Sequence, residues 1–176
     1  LHGTRTPAYA VITYGNRAVE DALVELVDDL TQRGFVVIGA AAVVAQHTYT
    51  ARLAPGRPTE QDAAALARRV GDAFAAGRPV ASVPGERPYK AVPAGRRVTP
   101  AVTPACTRCG DCAAECPVEA IPPTAPDTTD LAACIGCGRC LIVCPEAARV
   151  WGGDHPAVRA WLESTFVAPL ENAYYF

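Results

Sequence analysis

The sequence predicts two modules of different class in tandem. An α/β half built on a parallel sheet comes first, then a small cysteine-bound module, then a C-terminal helix. Three observations carry this reading. Apolar runs alternate with helical periods over residues 1–76; a stretch rich in proline and basic residues covers 77–104; and all eight cysteines fall between positions 106 and 144.

Each element of the first half has its own signal. Ala8 to Tyr14 is a short apolar run that stops at Gly15-Asn16. From Ala18 to Arg33 the apolar positions Val19, Ala22, Leu23, Leu26, Val27 and Leu30 step by threes and fours, which puts them on one helical face, and Gly34 is a natural stop. Phe35 to Ala45 is too uniformly apolar for a half-exposed strand and suits a parallel strand covered on both faces. Thr59-Glu60-Gln61-Asp62 caps a second helix with Ala63, Leu66, Ala67, Val70 and Phe74 inward. The order strand, helix, strand, helix argues for a doubly wound sheet. Two strands alone leave open edges, so further strands are expected upstream of Leu1, in keeping with a 176-residue chain that contains no methionine.

Composition excludes several classes. A hydrophobic share of 50% is too high for a disordered chain. No apolar run approaches the roughly 20 residues of a membrane helix, so no membrane partner is expected. The formal charge of −2 argues against nucleic acid as a partner. Leu1 to Arg5 is no secretory signal, and a cytoplasmic location is expected. Charge is uneven: five basic residues face only Glu86 over 77–104, whereas 105–150 carry three arginines against six acids. The basic stretch, with Pro79, Pro84, Pro88, Pro93, Pro100 and Pro104, reads as a semi-extended linker, and residues 151–176 as a helical tail.

The cysteines stand at 106, 109, 112 and 116, and again at 134, 137, 140 and 144. Each set reads C-x2-C-x2-C-x3-C followed by proline (Pro117, Pro145), and each cysteine repeats after 28 residues. Spacing this tight suits a metal better than disulfides, and the third cysteine is surplus to a tetrahedral zinc. Two [4Fe–4S] clusters use every cysteine: three thiolates of a repeat grip one cubane, and the fourth, before proline, crosses to the other. Cluster 1 is therefore expected on Cys106, Cys109, Cys112 and Cys144, and cluster 2 on Cys134, Cys137, Cys140 and Cys116. Gly110, Gly136 and Gly138 would let the backbone coil close to sulfur, and Val118, Ile121, Ile135, Leu141 and Val143 would pack around the cubanes. The added cluster charge favours a redox partner with a basic face, partly offset by Arg96 and Arg97.

Residues 101–150 resemble a bacterial-type two-cluster ferredoxin, with every ligand and both prolines matched. The first half resembles the C-terminal part of a flavodoxin-like domain. The run Val-Ile-Thr-Tyr-Gly-Asn, the strand Gly-Phe-Val-Val-Ile-Gly-Ala-Ala, the loop Gln-His-Thr-Tyr and Gly-Arg-Pro-Thr-Glu-Gln-Asp are similar to a family of flavodoxin–ferredoxin fusions, over residues 8 to 150. That resemblance implies FMN contacts at Thr13, Tyr14, Gly15 and Asn16, chiefly through backbone amides at the strand's carboxyl end. His47 would stand at the same edge, with Tyr49 nearby. The family's phosphate-binding loop, a Ser/Thr-Gly-Asn-Thr turn, is absent, which implies an N-terminally truncated member that binds FMN poorly.

The function expected is single-electron exchange between two [4Fe–4S] clusters and a redox protein, with FMN feeding them when the α/β domain is complete. Two other readings differ in the α/β half: a plain carrier without flavin, and a flavin-dependent reductase drawing electrons from the clusters. No nucleophile–base pair, carboxylate dyad or phosphate loop supports a hydrolase or transferase, and no catalytic residue is assigned. Val158, Trp161, Leu162 and Phe166 are expected to dock the C-terminal helix onto the ferredoxin module, with Trp151 in a packing role.

Overall fold

A computed structural model describes residues 1–91 and 98–176. Pro93, Arg96 and Arg97 lie outside the described residues. The chain divides into two compact units, Leu1–Val92 with Glu163–Phe176, and Pro93–Leu162.

In the first unit the order is β1 (Thr6–Tyr14), α1 (Ala22–Gln32), β2 (Phe35–Val44) and α2 (Glu60–Ala76). β1 and β2 pair in parallel from Thr6↔Phe35 to Tyr14↔Val44. β2 is buried from Val37 onward, as its unbroken apolar run requires of a strand covered on both faces. Gly39 makes room for a partner: a Cβ there would stand 2.5 Å from the Tyr9 ring. Leu23, Ala10, Val37 and Ala40 form the core, with Leu26, Val27 and Leu30 of the α1 face, and Val19 just before the helix, packed on it. α1 gives way to Gly34 at φ 86°, the left-handed turn that glycine accommodates. α2 starts with a reciprocal capping box between Thr59 and Asp62.

The C-terminal tail departs from the expected simple helix. α5 (His155–Thr165) is followed by β5 (Ala173–Tyr175), which pairs antiparallel with β2 through Ala40↔Tyr175 and Ala42↔Ala173. The sheet order is therefore β1-β2-β5, and the second edge of β2 is closed by residues over 130 positions later in the chain. Arg69 of α2 lies over the Tyr174 and Phe176 rings at 5.5 Å from each centroid. Asn172 ties the tail down further: its Oδ1 accepts from Val44 N–H (2.8 Å) and Arg57 Nη2 (3.1 Å), and its Nδ2 donates to Asp62 (2.8 Å). The sheet of this unit is thus one parallel pair with an antiparallel third strand.

The expected linker also differs in its first part. Residues 80–90 lie as a strap along the α/β unit. Val80 N–H donates to Val37 O (2.9 Å), and Val80 and Val83 pack on the core. Arg87 grips Asp28 with two nitrogens, Tyr89 Oη donates to the same carboxylate, and the Glu86 and Lys90 amides both donate to Asp21. A proline-rich segment favours extended backbone. Here that backbone finds acceptors on the α1 cap and on β2, and its side chains bind Asp28 of α1, so it docks.

In the second unit, β3 (Val98–Val102) and β4 (Arg149–Gly153) form an antiparallel pair. Between them lie two short helices, α3 (Asp111–Ala114) and α4 (Arg139–Ile142), one per cysteine repeat. α5 belongs to this unit as far as Leu162, which is buried. Trp161, expected on the docking face, is 48% exposed: the helix turns Leu162 inward and its neighbour outward.

Candidate metal centre

The 28-residue repeat is structural as well as sequential. α3 and α4 occupy matched positions, each preceded by a glycine in the left-handed region, Gly110 at φ 92° and Gly138 at φ 75°. Further positive-φ residues pair at the same interval: Arg108 with Gly136, and Glu119 with Ala147. After each proline the chain turns so that a buried alanine aims its N–H back at sulfur. Ala120 N lies 3.2 Å from Cys116 Sγ and Ala148 N lies 3.2 Å from Cys144 Sγ. Gly136 N–H adds a contact to Cys134 Sγ at 3.4 Å. Such donors favour a thiolate over a thiol.

The eight thiols divide between two small cavities. Cys134, Cys137, Cys140 and Cys116 line the first, with Ile121, Val118 and Trp151. Cys106, Cys109, Cys112 and Cys144 line the second, with Pro126 and Arg149. Each cavity thus takes three cysteines from one repeat and the pre-proline cysteine from the other. Among the described residues no three thiols, imidazoles or carboxylates gather closely enough to chelate a single ion. The thiols are spread around a space instead. Soft sulfur donors in fours, spread in this way and met by backbone N–H groups, fit an iron–sulfur cubane.

The surroundings set the thiols apart electrostatically. Burial pushes the Cys140 thiol up. At Cys144 burial acts in the same direction but is outweighed by the amides of Ala148, Arg149 and Glu146 and by the Arg149 guanidinium, so its pKa is lowered. Arg149 was not singled out by the sequence reading. It is 4% exposed, and it donates to the carbonyls of Pro126 and Thr128 and to Thr129 Oγ1. Its signal was available in the repeat, because residue 121, one period earlier, is isoleucine.

Of the apolar residues expected around the clusters, Ile121 is buried at 2% exposure, Leu141 and Val143 are partly buried, and Ile135 is 49% exposed. Ile135 therefore does not shield a cavity. Trp151 lines the cavity of Cys116, consistent with packing.

The residues linked to FMN by resemblance lie in the other unit, at the carboxyl ends of β1 and β2. Gly15 and His47 come together there: a Cβ on Gly15 would stand 2.6 Å from the imidazole. Burial, aided by Arg17, lowers the His47 pKa, while burial and Tyr175 raise that of Tyr14. Thr13 is exposed. Asn16 departs from the expected role. It is buried, its backbone N–H is spent on Tyr14 O, and its side chain binds the Phe166 and Ala168 carbonyls and the Leu170 amide. Neither its amide nor its side chain is free to meet a flavin.

Residues 105–149 match the family described as a 4Fe–4S dicluster domain. This segment is a ferredoxin-type iron–sulfur domain, and its chemistry is electron transfer. No curated protein matches the chain. Among the described residues no helix is long and apolar enough to cross a membrane.

Proposed function

We propose that the chain is a two-cluster electron carrier in which Cys106, Cys109, Cys112 and Cys144 hold one [4Fe–4S] cluster and Cys134, Cys137, Cys140 and Cys116 hold the other. The observation that carries this reading is the division of the eight thiols into two cavities, four to each, with one crossed ligand apiece. When bound, each cubane supplies a one-electron redox couple. The protein's part is to hold the thiolates, to direct the Ala120 and Ala148 amides at two of the sulfurs, and to limit access of water. The crossed cysteines also lock the repeats together, since neither site is complete with one repeat alone. The partner is a redox protein with a basic face, suited to a domain of three arginines and six acids made more negative by its clusters.

A flavin in the α/β unit would make the chain a converter between two-electron and one-electron chemistry. That reading rests on resemblance alone, and Asn16 is committed to the tail.

Anaerobically prepared protein is expected to contain about eight iron and eight sulfide per chain and a broad visible band bleached by dithionite. Zinc in their place, or less than half that iron after reconstitution, overturns the reading.

A further inference from the structure

The two cavities are built by one repeated sequence, yet their walls differ in charge: Gly136, Val118 and Ile121 of one stand where Arg108, Glu146 and Arg149 stand in the other, and of these three charged residues only Arg149 is buried. Ala120 and Ala148 are equivalent, both buried, and both hold their N–H groups 3.2 Å from a pre-proline sulfur. The next residues are Ile121, which lines the cavity of Cys134, Cys137, Cys140 and Cys116, and Arg149, which lines that of Cys106, Cys109, Cys112 and Cys144. Both side chains are buried. One is an alkyl group and the other a permanent cation.

A buried guanidinium needs compensation, because removing it from water is costly unless it is paired. The hydrogen bonds of Arg149 run to neutral oxygens: Thr129 Oγ1 at 2.6 Å, Thr128 O at 3.0 Å and Pro126 O. Of the carboxylates near it, Asp127 is itself held by Arg108 at 2.8 Å, and Glu146, which lines the same cavity, is exposed to water and makes no ion pair with it. Arg149 Nε is buried without any partner. Among the described residues the cation therefore has hydrogen-bond acceptors but no ion-pair partner, and it stands beside four thiols. A cubane on four thiolates carries about −2 and supplies a counter-charge.

We propose that Arg149 makes the two clusters unequal, holding the reduction potential of the cluster at Cys106, Cys109, Cys112 and Cys144 above that of the cluster beside Ile121. The inference rests on the two-cluster reading. Reduction adds one negative charge to a site that is already anionic, with no bond broken and no proton moved. Arg149 offsets that added charge more strongly at the nearer cavity, since Coulomb attraction falls with distance. Electrons entering the domain would then rest on the cluster of Cys106, Cys109, Cys112 and Cys144.

The test is a redox titration of the anaerobically reconstituted full chain, followed by electron paramagnetic resonance. Iron and sulfide are counted first; failure to reach two clusters removes the two-cluster reading, and this inference with it, before any potential is measured. With both clusters present, the wild type is expected to show two separated midpoints. In Arg149→Gln, which keeps hydrogen-bonding capacity without charge, the upper midpoint should fall toward the lower. Arg149→Lys should retain most of the separation. A Cys109→Ser variant, whose altered signal marks the cluster near Arg149, should perturb the signal of the upper midpoint. Coincident midpoints in the wild type, an unchanged separation in Arg149→Gln, or a Cys109→Ser change confined to the lower midpoint would each overturn the proposal. Should Arg149→Gln fail to assemble, Arg149→Met against Arg149→Lys makes the same comparison.

Discussion

Asn16 accepts a hydrogen bond from the backbone N–H of Leu170 at 2.8 Å, across 154 residues of sequence. The same side chain donates to the Phe166 and Ala168 carbonyls at 2.8 and 2.9 Å. One buried amide at the end of β1 thereby fixes the segment that leads into β5. This clasp stands where the resemblance to flavin-binding sheets implies a cofactor contact, and it uses the polar capacity such a contact would need.

Replacing Asn16 by Ala removes three buried hydrogen bonds and leaves two carbonyls and an amide to find other partners. Net losses of about 1 kcal/mol per bond put the expected destabilisation at about 2–3 kcal/mol. Chemical denaturation of the holo protein measures it, and limited proteolysis should show cleavage within 166–172 appearing in the variant first.

The strap over α1 is pH-sensitive. The Arg87 guanidinium first, and the Tyr89 hydroxyl second, hold the Asp28 carboxyl down at about 2. A carboxylate favoured by folding contributes fully above about 4 and loses that contribution as pH falls through its folded value. Between pH 4 and 2 the Tyr89 ring resonances should therefore move toward those of a free tyrosine. In Asp28→Asn the resonances should already be shifted at neutral pH and show little change over that range.

Cys116 lies in the first repeat but lines the cavity of the second. Cys116→Ala is expected to disrupt the cluster of Cys134, Cys137 and Cys140, leaving about four of eight iron with the other set intact. Loss confined to the Cys106, Cys109 and Cys112 site would contradict the crossed arrangement. Electron paramagnetic resonance of the reduced variant distinguishes the two outcomes.

Iron removal should act on one unit only. Within Pro93–Leu162 the buried apolar residues are few and mostly small, among them Val98, Ala120, Ile121, Ala148 and Leu162. A core of that size does not hold a domain without a metal or cross-links. Chelation under denaturant followed by refolding without iron should leave residues 98–162 open to hydrogen exchange, while α1 and β2 stay protected.

The features legible in sequence are those with a local physical cause. A stripe at helical spacing, the Thr59 and Asp62 capping pair, and glycines at positions that demand positive φ report on their own surroundings. The cysteine spacing is local too, since a repeat of 11 residues from first to last ligand must wind around something compact. These signals sufficed for the parallel β1–β2 pair and for the presence of α1 and α2, although Phe74, expected inward on α2, is 49% exposed. What only the tertiary structure decided involves partners far apart in the chain. The pairing of β5 with β2, the Asn16 clasp and the strap on Asp21 and Asp28 depend on which distant segment reaches an open edge or a free acceptor. Nothing in the short tail run Ala173 to Tyr175 marks it as a strand until β2 offers it an unpaired edge. Arg149 belongs to both levels: the repeat shows it among the positions where the two halves differ in charge, and only the fold shows that its charge is buried at one cavity and not the other.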